Sequence, residues 1–268
     1  MTAVLDADLE RRFGGLRRLY GDVAYERIRS AHVAVVGVGG VGSWAAEALA
    51  RSGIGALTLI DLDHVSESNV NRQVQALGST IGMAKVEALR LRIADIHPGC
   101  TVASVEEFVD ETNWPALLTR PADAVIDACD NVRAKAAMAA WARATATPLV
   151  VVGAAGGKRA AERVEVADLA DVTHDPMLAS LRQRLRKLHQ APRTGAFGVT
   201  SVFSREPVSG PATGEACDTD GSLNCHGYGS SVAVTATFGM VAAARALDVV
   251  IAHRRWANGA AATSTSAR

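Results

Sequence analysis

The chain of 268 residues reads as an α/β protein: a mostly parallel sheet with helices on both faces, extended by antiparallel strands and a C-terminal helix. Three observations predict this. Short apolar runs rich in β-branched residues alternate with segments of helical periodicity over roughly 120 residues, the pattern of crossover connections. A glycine-rich turn stands directly after the first of these runs. After Gly157 the rhythm breaks, and two strand-like runs at 163–166 and 199–203 suggest an antiparallel extension.

In order, an amphipathic helix is expected over 5–19 and the first core strand over His32–Val36, with a helix over 41–51 after the glycine turn. A strand at 57–60 precedes a helix at 82–96, in which Val86, Leu89, Ile93 and Ile96 recur at three- and four-residue steps before His97-Pro98-Gly99 stops it. There follow a strand at 101–106, a helix at 112–118, a strand at 124–128, a helix at Val132–Thr145 and a strand at Leu149–Val152. Between the two later strands, residues 176–189 carry an apolar stripe of Leu178, Leu181, Leu185 and Leu188. Arg182, Arg184, Arg186 and Lys187 occupy the rest of that surface, with no acidic residue from 176 to 205. Residues 206–229, rich in Gly, Pro, Ser, Thr and Asp, read as a mobile crossover loop. A helix at 231–252 returns apolar surface to the core, and the Ala/Ser/Thr tail at 256–268 is expected to be disordered. The division is therefore 1–157 for the N-terminal helix and a Rossmann-like nucleotide-binding region, and 158–255 for the extension, within one globular unit.

Composition narrows the possibilities. With 28 basic and 28 acidic residues the chain is not a polycation, so contact with nucleic acid has to rest on a local patch. Cys100, Cys129, Cys217 and Cys225 form no C-x-x-C pair, which argues against a disulfide framework and a four-thiolate zinc site. The N-terminus has charged residues where a signal peptide has an apolar core, and Arg245 interrupts the longest apolar run before it reaches the length of a span. On these readings the protein is expected in the cytoplasm.

The run V-A-V-V-G-V-G-G-V-G puts Gly37, Gly39, Gly40 and Gly42 in a dinucleotide fingerprint, where the missing Cβ atoms let backbone N–H groups close on phosphate at a helix N-terminus. Asp61, at the end of A-L-T-L-I-D-L-D, stands where a carboxylate accepts hydrogen bonds from ribose, with Asp63 two residues on. NAD would fit this much. The following segments, S-N-V-N-R-Q and G-M-A-K, add Asn69, Asn71, Arg72 and Lys85, and cations suit the charge that builds on departing pyrophosphate when ATP is split at its α-phosphorus. A carboxylate beside a triphosphate is repulsive unless magnesium bridges them, which assigns the metal to Asp130 in A-V-I-D-A-C-D-N; the competing reading is an N-cap for the helix beginning near Val132. His64 reads as a surface loop histidine. Cys225-His226 falls short of a tetrahedral metal set.

Together G-V-G-G-V-G, D-L-D, N-V-N-R-Q, G-x-x-K and D-A-C-D-N resemble the HesA/MoeB/ThiF family, bacterial relatives of ubiquitin-activating enzymes. The resemblance implies adenylation of a carboxylate, with ATP held by the glycine turn, Asp61, Asp63 and Asn69, its phosphates met by the catalytic cations Arg72 and Lys85, and Mg2+ on Asp130. It also implies a homodimer with an N-terminal arginine reaching the partner's phosphates. The usual R-Y-x-R opening is altered to Arg12-Phe13-Gly14-Gly15, which leaves Arg17 or Arg18 for that contact.

R-F-G-G-L-x-R-L-Y-G, D-P-M-L-A-S-L-R-Q-R-L-R, V-F-S-R-E and G-S-S-V-A-V-T-A-T-F-G resemble one branch of that family, whose members dehydrate threonylcarbamoyladenosine in the anticodon loop of tRNA. On this resemblance Arg182, Arg184, Arg186 and Lys187 are candidates for tRNA phosphate. Cys217 and Cys225 are candidate thiols, and sulfur-relay or cysteine-desulfurase proteins are candidate partners. The alternatives are adenylation of the C-terminal carboxylate of a small sulfur-carrier protein and, in another class, a non-catalytic NAD-binding sensor.

Overall fold

The computed structural model describes residues 7–210 and 228–252. β1 (His32–Val36), β2 (Ala56–Ile60), β3 (Thr101–Val105), β4 (Ala124–Asp127), β5 (Leu149–Val152), β6 (Val164–Asp168) and β7 (Thr200–Ser204) form one seven-stranded sheet in the order β3-β2-β1-β4-β5-β7-β6. β1 pairs in parallel with β2 on one side and β4 on the other. Strand order therefore reverses at β1, which opens a crevice at the carboxyl ends of β1 and β4. The extension is antiparallel only in its last member: β7 runs parallel to β5, and β6 alone opposes its neighbour.

β1, β2, β4 and β5 are buried along their whole length, as sheets covered on both faces require. On one face α3 (Gly42–Arg51), α4 (Lys85–Ile96) and α7 (Val232–Ala252) pack around Val33, Val35, Leu57 and Leu59. The other face holds α5 (Val132–Thr145) and α6 (Pro176–Leu188) against Ala34, Val36, Val125 and Val151. By length and composition α7 could cross a membrane, but Val234, Phe238, Ala242, Ala246 and Val250 are buried in this core. Gly239 lets it approach α3 closely, since a Cβ there would lie 2.5 Å from Val41 O and 2.8 Å from Trp44 Cβ.

Two sequence expectations are corrected. The single N-terminal helix is a pair, α1 (Leu9–Tyr20) and α2 (Asp22–Ser30), divided at Gly21, whose φ of +83° only glycine adopts readily and whose N–H donates to Arg17 O at 2.8 Å. The helix expected at 112–118 is a series of turns. Asp110 Oδ1 accepts from Thr112 N at 2.7 Å and Asn113 N at 3.0 Å, and Pro115 has no N–H to donate. The expected helix start at residues 5 and 6, most of the crossover loop and the tail lie outside the described residues.

Candidate nucleotide site

The glycine turn is shaped by contacts that admit no side chain. Gly37, at φ +79°, would carry a Cβ 2.8 Å from Cys129 N, and a Cβ on Gly42 would lie 1.8 Å from Gly37 O. The turn is thereby pressed against the end of β4 with the N-terminus of α3 behind it, which leaves backbone donors and the positive end of the helix dipole facing the crevice. Asp61 closes the opposite wall. Its Oδ2 accepts from Val38 N at 2.8 Å and its Oδ1 from Asp63 N at 2.9 Å. Burial raises the Asp61 pKa above the usual carboxylate value, against the opposing charge of Lys85.

The two predicted cations reach the same turn by different routes. Residues 69–75 fold over it: Val74 N approaches Ser43 Oγ, Gln75 Nε2 donates to Val38 O at 2.9 Å, and Trp44 Nε1 donates to Arg72 O at 2.9 Å. The stem of Arg72 consequently lies beside Gly40, 3.5 Å from where a Cβ would be, and its Nη1 donates to Ser68 O and Asn71 Oδ1. Partial burial lowers the Arg72 pKa from an ordinary value so high that the charge remains. Lys85 opens α4 and is only 6 % exposed, with Nζ 2.7 Å from Asp63 Oδ2 and its backbone N–H on Asp63 O at 2.9 Å. A cation at a helix N-terminus is unfavourable by itself; Asp63 compensates for it. Asn69 is buried, with Oδ1 accepting from Ser66 N in a capping box, and Asn71 Nδ2 donates to Ser230 O beside α7. His64 is exposed in the loop after Asp63.

Asp130 stands exposed at the carboxyl end of β4, with no hydrogen bond or ion pair among the described residues. The capping role belongs to its neighbour: Asn131 Oδ1 accepts from Arg133 N at 2.9 Å and Ala134 N at 3.2 Å. No cluster of three or more potential metal-ligating side chains occurs among the described residues. As an exposed carboxylate whose oxygens carry no hydrogen bond among the described residues, Asp130 is chemically able to take an oxygen-binding cation such as Mg2+.

Three residues beneath Asp130 is a feature that pattern reading missed. Asp127 and Lys135 form a fully buried pair, Oδ1 to Nζ 3.0 Å, and Nζ also donates to Val152 O at 2.9 Å. Burial would depress the Lys135 pKa, but the Asp127 charge overrides it and raises it. Cys129 Sγ donates to the same Asp127 oxygen at 3.0 Å, and burial followed by the Asp127 charge pushes its thiol pKa up, which disfavours the thiolate. A lone lysine in a helix gives no signal in the sequence that it turns inward. Gln73 and Gln75, both buried, brace the glycine turn; Gln73 ends N-V-N-R-Q, and Gln75 lies two residues beyond that motif.

A family model for the ThiF family matches residues 12–265. The chain belongs to the ThiF family. Within it, this ThiF protein is 42% identical over 246 residues to the tRNA threonylcarbamoyladenosine dehydratase of Haemophilus influenzae, covering 90% of this chain and 94% of that one. The crystal structure of the Escherichia coli tRNA N6-threonylcarbamoyladenosine dehydratase in complex with ATP superimposes with a TM-score of 0.83 at 42% identity, over 97% of this chain and all of the other. Similarity to the E. coli molybdopterin-synthase adenylyltransferase is confined to 125 residues, 37% identical, or 47% of this chain and 50% of that one.

Other predicted residues of the ThiF chain separate on inspection. Arg17 is engaged within its own subunit by Glu10, Asp22 and Glu26 and lies over the Tyr25 ring, whereas Arg18 is exposed with no ion pair among the described residues. On α6, Arg182 Nη1 donates to Leu169 O and Val172 O, and Arg186 donates to Pro192 O and Arg193 O while covering Phe197. Arg184 pairs with Glu111; Lys187 is exposed without a partner among the described residues. The basic helix therefore spends part of its charge on pinning neighbouring loops. Cys217, Cys225 and His226 lie outside the described residues.

Proposed function

We propose that this ThiF-family protein is an ATP-dependent dehydratase that cyclises threonylcarbamoyladenosine in tRNA by adenylating its carboxylate. The observation that carries this reading is that similarity to the dehydratases extends through both halves of the chain, while similarity to the molybdopterin-synthase adenylyltransferase stops at about half. The segments beyond the nucleotide half, including α6 and α7, are where a tRNA-modifying enzyme would differ from a carrier-protein adenylator.

The chemistry follows from the crevice. A carboxylate oxygen of the threonyl group attacks the α-phosphorus of ATP, an acyl-adenylate forms, and pyrophosphate departs. An oxygen or nitrogen of the carbamoyl group then attacks the acyl carbon and displaces AMP, with loss of one proton to solvent; the nucleoside has lost the elements of water. Arg72 and Lys85 neutralise charge where the outgoing pyrophosphate develops it, the glycine turn and α3 orient the phosphates, and Asp61 fixes the turn to the ribose side. Asp130 would hold Mg2+, which supplies further neutralisation at the phosphates when bound. No side-chain nucleophile is required.

In the same reading the protein is cytoplasmic and homodimeric, with Arg18 rather than Arg17 reaching the partner's phosphates. Lys187 is the member of α6 most available to tRNA phosphate, which gives affinity that weakens with salt. The test is ATP–pyrophosphate exchange, together with nucleoside mass spectrometry after incubation with Mg-ATP and tRNA bearing threonylcarbamoyladenosine. Exchange and loss of water should require the modified tRNA. Exchange driven only by a sulfur-carrier protein would replace this reading with the carrier one.

A further inference from the structure

A second cavity opens on the same edge of the sheet. It has a volume of about 390 Å³ and lies where α6 begins, walled by Val172, Ala179, Pro207 and Val208 with Arg182 and His174 at its side. Its position follows from the sheet. Asp175, in its wall, caps α6 through Leu178 N at 2.9 Å and accepts from Ala154 N, just past β5, at 2.8 Å. Pro207 and Val208 follow the end of β7, and Ser209 N donates to Gly157 O at 2.8 Å. β4, β5 and β7 are parallel neighbours, so the strand ends beside the cavity follow the turn that carries Asp130 along one rim, at one to two strand spacings of roughly 5 Å each. Asp175 is also close enough to contribute to the field at buried Lys135, directly beneath that turn.

We propose that this cavity receives the purine of the modified nucleoside, taken out of the tRNA loop, while its pendant carboxylate extends into the nucleotide crevice. The proposal rests on the reading above and adds to it the place where the acceptor binds. Reach is one argument. From the base nitrogen to the threonyl carboxylate runs a urea unit and one α-carbon, about two residues' length or ~7 Å, which is on the scale of the one to two strand spacings between these strand ends. Chemistry is another. The apolar walls offer faces on which a planar base can stack, as enzymes acting on an extruded base require. Arg182 uses Nη1 on two backbone carbonyls, and its Nε and Nη2 donors have no partner among the described residues, which leaves them for acceptors on the purine or urea. Asp175 presents no competing charge-seeking group, because both its oxygens are occupied by backbone N–H donors and it is 3 % exposed. The volume is also in the range of sites that bind small molecules.

Ala179 is exposed on the first turns of α6, so Ala179→Trp fills the cavity without entering the core, and Ser180→Trp places the same bulk one position around the helix, outside it. In the intact enzyme Ala179→Trp should lower kcat/KM for threonylcarbamoyladenosine tRNA by about tenfold or more, with Mg-ATP affinity and melting temperature unchanged, while Ser180→Trp matches wild type. A measurement free of substitution accompanies it. The free nucleoside threonylcarbamoyladenosine should protect His174 from diethylpyrocarbonate, read by peptide mass spectrometry, and unmodified adenosine should protect it less. If wild type leaves the modified tRNA unchanged, the functional reading and this proposal both fail. If wild type cyclises it while Ala179→Trp is as efficient or His174 is unprotected, the cavity alone is rejected.

Discussion

Lys85 Nζ lies 2.7 Å from Asp63 Oδ2, and Asp63 is itself tied through its backbone N–H to Asp61, the residue that bonds to Val38 in the glycine turn. The ammonium is thus indexed to the phosphate-binding backbone by two carboxylates rather than by the helix it opens.

Lys85→Met should lower ATP–pyrophosphate exchange by about 10²–10³, the scale for removing one donor to developing charge. The melting temperature should move little, since an ion pair to a carboxylate that is half exposed contributes at most ~1 kcal/mol. A variant that melts several degrees lower but exchanges at the wild-type rate would make Lys85 a structural residue only.

Asp130 and Asn131 separate catalysis from stability at adjacent positions. Asn131 caps α5, so Asn131→Ala should cost about 1 kcal/mol in urea denaturation. Asp130→Asn touches no bond among the described residues and should leave stability unchanged, while exchange falls by an order of magnitude or more and its dependence on added magnesium moves to higher concentration. Equal loss of stability in the two variants would return Asp130 to a capping role.

The sequence made most of the strands and the nucleotide crevice legible because both are local signals: β-branched runs set the strands, and Gly37 and Gly42 are fixed by contacts that only glycine survives. It was silent where a residue's role depends on distant chain. Gly21 reads as a helix end only once α2 is seen to continue beyond it, and the helix expected at 112–118 gives way to turns set by Asp110 and Pro115. Arg182, Arg184 and Arg186 read as a basic surface open to tRNA phosphate, yet Arg182 holds loop carbonyls 13 and 10 residues away, Arg186 holds others 6 and 7 residues away, and Arg184 meets Glu111 from across the fold. Charge is visible in a sequence; what satisfies it is not.

The Asp127–Lys135 pair is the clearest such omission, and it makes a stability prediction. Lys135→Met leaves a buried carboxylate without its counter-ion and should cost about 3–5 kcal/mol. Asp127→Asn combined with Lys135→Met removes both charges, while the amide oxygen can still accept from Cys129 N, and should recover at least half of that loss in urea denaturation. A double variant as unstable as the single one would mean that the lysine's bonds to the Asp127 and Val152 carbonyls, rather than its charge partner, hold this turn.

His32, at the base of β1, sets an acid limit on stability. It is 2 % exposed, with Nδ1 2.9 Å from Pro121 O and Nε2 2.8 Å from Thr58 Oγ1, an arrangement in which a neutral ring donates at Nδ1 and accepts at Nε2. Burial first, then the Arg120 charge, lowers its pKa below the ordinary 6.5, against the Pro121 bond and Asp123. In the unfolded chain the ring takes up a proton near pH ~6.5 while the folded one does not, so the unfolded state binds more protons below that value and stability falls as pH falls from ~6.5 toward the folded pKa. Above pH ~6.5 the contribution is constant. His97, also buried and lowered by burial and Arg29, adds a slope of the same sign. Urea midpoints for wild type should therefore drop between pH 7 and 5, and His32→Gln should flatten part of that drop, with His97 accounting for a remainder. An unchanged slope in His32→Gln would show that the buried ring takes up its proton as the unfolded chain does, and a steeper one that the folded ring already carries it, with Thr58 Oγ1 acting as the acceptor.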